Sequence, residues 1–156
     1  MKFHPTQVCG PLHPGLPSIL LGFLFFGTIS YVEDTIRGLI EGPSWQTNPV
    51  QFLVLDLSLV AGVDMSSAEA FVRMYRFLSA KSVTLVFCGF SAESTVGKAL
   101  DSVQVLGADG VELFFTFNDA MECERTRILL RSERLYLFIT RDRKRLFAHL
   151  VDVTKT

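Results

Sequence analysis

Apolar residues recur along the chain in two patterns, short unbroken runs and helically spaced sets, and the two alternate. Phe52–Leu57, apolar except for Asp56, is a run of strand length. A run without alternation predicts a strand covered on both faces, in the middle of a mixed or parallel sheet. After a short turn holding Gly62, Asp64, Ser66 and Ser67, apolar residues return as Ala68, Phe71, Val72, Tyr75 and Leu78. That spacing predicts a helix over Ser66–Ala80, started by a capping box of Ser66 and Glu69. The pair reads as a βα unit, with function expected on the loop at the carboxyl end of the strand.

The same alternation runs through much of the chain. Ile19–Thr28 predicts a strand, or two short ones bent at Gly22, with Phe23–Phe26 buried. Val32, Ile36, Leu39 and Ile40 predict a helix over Ser30–Glu41, stopped by Gly42-Pro43. Val83–Cys88 and Val111–Phe115 predict further strands. Ser94–Leu106, closed by Gly107, and Asp119–Leu130, with a capping box of Asp119 and Glu122, predict further helices. The expected class is α/β, with a central mixed sheet of four to five strands covered by about four helices. Residues 1–17 carry four of the six prolines and read as a flexible lead. A single domain is expected over 18–131. Residues 132–156 alternate weakly at Leu135, Leu137 and Ile139 and fit a strand, a helix or a tail equally well.

Composition narrows the function classes. The net charge of −1, from 15 basic and 16 acidic residues, supplies no field to attract nucleic acid. Hydrophobic residues make up 49% of the chain, which is rich for one domain and points to a large core or a face meant for a partner. Gly15–Val32 is long and uncharged, but Pro17, Gly22 and Gly27 divide it into strand-sized pieces rather than a membrane-spanning helix. Cys9, Cys88 and Cys123 cannot all pair and read as reduced thiols.

Four pieces together resemble the STAS domain, shared by sulfate-transporter-like proteins and bacterial anti-sigma-factor antagonists. They are LGFLFFGTI (Leu21–Ile29), VLDLSLVAGVDMSSAEAF (Val54–Phe71), VTLVFCGFS (Val83–Ser91) and FTFNDAMECER (Phe115–Arg125). The early FGT and the late acidic helix look most like fungal sulfate-permease-like transporters of the vacuolar type. In that family the STAS domain is a cytosolic tail behind a membrane domain. The resemblance therefore implies a STAS-like fold and a non-catalytic regulatory or protein-interaction module without a cofactor. It implies a place on the cytosolic face of a vacuolar or plasma membrane. The partner implied is a transporter membrane domain, another protein or a second copy in a homodimer. No membrane domain stands before Met1, so the chain is expected to be a fragment or a stand-alone copy. The alternatives are a stand-alone switch like the anti-sigma antagonists, in the cytoplasm, or a weak nucleotide- or anion-binding module.

In the antagonists the loop reads Asp-Ser-Ser-Gly, and the serine after the aspartate is phosphorylated. Here Asp64 is followed by Met65, which has no hydroxyl, so that switch is lacking. Ser66 matches the second serine and Ser67 stands in the place of glycine. Asp64, Met65, Ser66 and Ser67 form the candidate interaction or anion-binding loop, with helix capping as the competing role.

Weaker candidates lie elsewhere. Ala92–Ala99, AESTVGKA, is a near miss for a phosphate-binding loop, without its first glycine or a Ser/Thr after Lys98. Ser91, Ser94, Thr95 and Lys98 are its candidate anion contacts. His4, Cys9 and His13 give three metal ligands where a structural zinc needs four, so no metal site is expected. Arg141, Arg143, Lys144 and Arg145 form a basic stretch, read as a solvated face with contact to anionic lipid as its alternative. His149 lies in the unassigned tail, and Glu122 and Glu124, two apart on a helix, point to different faces. No catalytic constellation can be assembled.

Overall fold

The computed structural model describes residues 22–43, 46 and 49–123, and the backbone of two further strands, 135–142 and 145–152. In chain order the elements are β1 (Gly22–Leu24), α1 (Phe26–Glu41), β2 (Phe52–Asp56), β3 (Val60–Val63), α2 (Met65–Ala80), β4 (Thr84–Cys88), α3 (Thr95–Ser102), β5 (Val111–Phe114), β6 (Leu135–Asp142) and β7 (Arg145–Asp152). Residues 117–123 add a fourth helix, α4.

β2 stands in the middle of a five-stranded sheet of order β5-β4-β2-β6-β7. It runs parallel to β4 on one side and β6 on the other, and only β7 is antiparallel to its neighbour. The sheet is mixed, as expected. Period-two alternation sends β2 side chains to two cores. Leu53 and Leu55 join the main core with Phe71, Met74, Leu78, Leu85 and Phe87. Phe52 and Val54 meet Val86, Cys88 and Ala120 on the opposite face. α1, α2 and α3 contribute to the first core and α4 to the second, so apolar residues are needed at successive strand positions. Phe71 and Phe87 meet edge-on at 5.5 Å between ring centroids.

α1 presents Ile29, Val32, Ile36 and Ile40 inward, all fully or almost fully buried. It packs on α2, and Glu33 receives Arg37 of its own helix at 3.5 Å and Arg73 of α2 at 3.2 Å. These bridges are half-open to water and contribute little, ~0–1 kcal/mol each.

Several expectations are corrected. The strand expected over Ile19–Thr28 is confined to Gly22–Leu24 within the described residues, and α1 begins at Phe26 rather than Ser30. Of Phe23, Leu24 and Phe25, only Leu24 is buried, because β1 exposes one face. The turn expected after β2 contains a strand, β3, which pairs in parallel with β1 as a separate two-stranded ladder. A four-residue strand holding Gly62 gives too short a pattern to read. Finally, α3 ends at Ser102, well before Gly107, in a further turn.

The tail that fitted three alternatives is a β-hairpin, with Leu137 beside Leu53 and Leu150 opposite Leu137. Within the basic stretch, Arg141 pairs with Leu146 near the hairpin's end. The helix predicted to Leu130 is described only to residue 123. The lead with His4, Cys9 and His13 and residues 15–21 lie outside the described residues. No described helix is long and apolar enough to cross a membrane.

Candidate functional site

The candidate loop is short because two elements nearly meet there. β3 ends at Val63, and the next backbone N–H, of Asp64, donates to the carbonyl of Leu24 at 3.1 Å. The β1–β3 ladder thus runs up to the first residue of the loop. Asp64 has extended backbone angles, φ −78° and ψ 167°, which redirect the chain into α2. Its Oδ1 accepts the Ser67 N–H at 2.7 Å, and its carbonyl accepts the Ala68 N–H at 2.9 Å. Asp64 is therefore the N-cap. The capping box expected at Ser66 and Glu69 is displaced by two residues, since Ser66 lies inside the helix.

The four loop residues have separate fates. Asp64 caps and is half-buried. Met65 and Ser66 are exposed. Ser67 is fully buried, and its hydroxyl has no hydrogen-bond partner among the described residues. A buried hydroxyl left unpaired costs about 1–3 kcal/mol. Residue types alone do not mark this burial, because Asp64, Ser66 and Ser67 all read as candidates for capping or for the loop.

The second candidate turn is closed by its own backbone. Ser94 caps α3, its Oγ accepting the Gly97 N–H at 3.1 Å and donating to the Ser91 carbonyl at 2.6 Å. Gly97 is needed for close approach, because a Cβ there would run into the carbonyl oxygens of Ser91 and Ala92. Those carbonyls crowd the helix start with negative partial charge. Thr95 and Lys98 are exposed. α3 packs against β3, which brings the elements carrying the two turns together.

A third such turn opens α4. Thr116 Oγ1 accepts the Asp119 N–H at 3.1 Å and donates to the Asp119 carboxylate at 2.7 Å. The cap is Thr116, three residues before the expected Asp119.

At the carboxyl ends of β2 and β4, the Leu57 N–H donates to the Cys88 carbonyl at 2.9 Å. Cys88 is fully buried, and its Sγ lies 3.7 Å from the Leu55 carbonyl. Burial first, and the Asp56 charge second, push its thiol from the ordinary 9.0 up to about 12. It is a protonated packing residue, unsuited to act as a nucleophile. Cys123 is free and half-buried. The described residues hold no group of three His, Cys, Asp or Glu side chains placed to take a metal.

Sequence reasoning missed what surrounds the loop. Phe23, Phe25, Leu59 and Met65 are all more than half exposed along the β1–β3 ladder and its ends. The strand pattern that made Phe23–Phe26 look buried is what concealed Phe23 and Phe25.

A family model described as STAS domain matches residues 20–120. A curated relative, the vacuolar basic amino acid transporter VSB1 of Saccharomyces cerevisiae, is 29% identical over 120 residues. The match covers 74% of this chain and 11% of the transporter, so the chain spans a small part of that relative's length. Among solved structures, the STAS domain of a SulP transporter from Vibrio cholerae superposes with a TM-score of 0.52 at 23% identity, covering 71% of this chain and 80% of that one. At that identity the likeness concerns the fold.

Proposed function

The chain belongs to the STAS domain family, and on that premise we propose that it is a non-catalytic regulatory and protein-interaction module of a sulfate-permease-like transporter. The observation that carries the reading is the 120-residue similarity to the yeast vacuolar transporter. The loop chemistry supports it. Asp64 is engaged as a cap, Met65 offers no hydroxyl, and Cys88 is protonated and buried, so nothing described there makes an activated nucleophile.

In this reading the domain works at the cytosolic face of a vacuolar or plasma membrane. Asp64, Met65, Ser66 and Ser67 form its interaction loop, with Met65 and Ser66 making contact and Asp64 fixing the turn. The partner is the membrane domain. A phosphoswitch of the antagonist kind is disfavoured by Met65. An anion at Ser91, Ser94, Thr95 and Lys98 is disfavoured by the carbonyls that crowd that turn.

The test replaces the matching segment of the yeast transporter with this chain and measures uptake of basic amino acids into isolated vacuoles. The chimera is expected to exceed a transporter deleted of the segment. Equal uptake by the chimera and the deletion, at equal protein level, contradicts the reading.

A further inference from the structure

The β6–β7 hairpin gathers positive charge at one end of the sheet. β6 pairs with β2 as far as Ile139, opposite Leu55, and then continues for three residues, about 10 Å, to Asp142. Among the described residues only β7 accompanies it there, with Arg141 opposite Leu146 and Asp142 opposite Arg145. The two residues that join the strands at this end are Arg143 and Lys144. Pairing and connectivity therefore bring Arg141, Arg143, Lys144 and Arg145 together at the carboxyl end of β6, beside the carboxyl end of β2.

Charge selects the partner. Residues 141–145 hold four of the chain's 15 basic residues and one of its 16 acidic ones, which leaves 11 basic against 15 acidic for the rest. By register two carboxylates accompany the cations: Asp142, opposite Arg145, and Asp56, one position past the pair of Leu55 with Ile139. Asp56 Oδ1 accepts the Ser58 N–H at 3.0 Å. Four cations against two carboxylates leave this end positive on a chain whose remainder is negative. A molecule so polarised turns its basic end toward an anionic surface and is repelled from it elsewhere. Leu146 and Phe147 follow Arg145 directly in β7, opposite Arg141 and Thr140. Cations with apolar and aromatic residues beside them suit the boundary between lipid headgroups and acyl chains. A free phosphate or an acidic peptide would use the cations alone.

We propose that the turn of the β6–β7 hairpin is a contact site for anionic lipid headgroups, which Arg141, Arg143, Lys144 and Arg145 recognise by charge. The proposal rests on the transporter reading for the source of the surface, because a domain held at the cytosolic side of a membrane meets its anionic leaflet. The contact orients the domain, with the carboxyl ends of β2 and β6 toward the bilayer.

The test floats the full chain with vesicles of phosphatidylcholine alone and of phosphatidylcholine mixed with phosphatidylserine, at low and high salt. Binding is expected only where phosphatidylserine is present, and to weaken as salt rises. Each cation removed should weaken it about fivefold, so Arg143→Gln with Lys144→Gln should weaken it about 25-fold. Arg141→Gln with Arg145→Gln should do the same. If that second pair lowers the melting temperature, the first pair, between the strands, decides. No flotation with phosphatidylserine at low salt, or flotation indifferent to Arg143→Gln with Lys144→Gln, overturns the proposal. Displacement from the vesicles by inorganic phosphate, beyond that by chloride at equal ionic strength, would assign the turn to a free anion instead. Tighter binding to a poly-glutamate peptide than to the vesicles would assign it to an acidic protein. If the chimera transports but the vesicles are not distinguished, only the lipid proposal falls. If the vesicles are distinguished but the chimera fails, the transporter reading falls.

Discussion

The five-stranded sheet and the β1–β3 ladder are made of similar residues and use them in opposite ways. In β2, Phe52, Leu53, Val54 and Leu55 are all buried, because strands flank it on both sides and the helices supply cover on both faces. In β1, Leu24 is buried while Phe23 stands in solvent. Hydrophobicity alone therefore does not separate a buried strand from an exposed one. What separates them is whether a second layer reaches the other face of the strand.

The largest effect expected from this contrast is on stability. Phe71→Ala removes a fully buried ring from contact with Phe87 and should cost about 3–5 kcal/mol in denaturant unfolding. Phe25→Ser, exposed at the end of the ladder, should stay within ~0.5 kcal/mol. Comparable losses would mean that the ladder belongs to the cooperative core.

Next comes the dryness of the sheet's second face. The Cys88 thiol is raised from 9.0 to about 12 in the folded state. Between those values the unfolded chain loses the proton first, so the folded state binds more protons. Stability from this group is therefore complete below pH 9 and declines as pH rises toward 12. Thiol titration at mildly alkaline pH should find Cys88 unreactive until the chain unfolds. Prompt reaction in the native state would show that water reaches this face.

The joint between ladder and helix gives a smaller effect. Asp64→Ala deprives the Ser67 N–H of its acceptor and should cost about 1 kcal/mol. Unchanged melting, with loss of transport in the chimera, would show that Asp64 acts on a partner rather than as a cap. The smallest effect has the opposite sign. Ser67→Ala deletes a buried hydroxyl with no partner among the described residues and should leave stability unchanged or raise it by up to about 1 kcal/mol. A clear loss would mean that the hydroxyl has a partner in solution.

The sequence made the buried strands β2 and β4 legible, because apolar runs of strand length followed by helical spacing have few other readings. It made the end of α1 legible through Gly42-Pro43. The start of α1 was hidden, since Phe25, Phe26 and Gly27 continue an apolar run and only Ile29, Val32, Ile36 and Ile40 reveal the helical period. The caps at Asp64 and Thr116 were read two or three residues late. Asp64 with Ser67 and Ser66 with Glu69 both have cap spacing, and the choice depends on where the preceding strand ends. β3 settles that choice at Val63 through its pairing with β1, a contact distant in sequence. The hairpin of β6 and β7 was ambiguous for the same reason, as β6 is placed by its pairing with β2 more than 80 positions earlier. Residue types placed a turn at Asp64 ahead of a helix, and the structure has that turn, but the buried hydroxyl of Ser67 and the exposed ladder around it are properties of packing.

Native-state amide hydrogen exchange tests most directly whether β2 is the protected centre and the β1–β3 ladder a separate, exposed unit. The N–H groups of Leu53, Val54 and Leu55 are expected to exchange only through global unfolding, and those of Phe23, Leu24 and Gly62 through smaller, faster openings. Exchange of Leu53–Leu55 as fast as that of the ladder, or a ladder as slow as β2, would contradict the account.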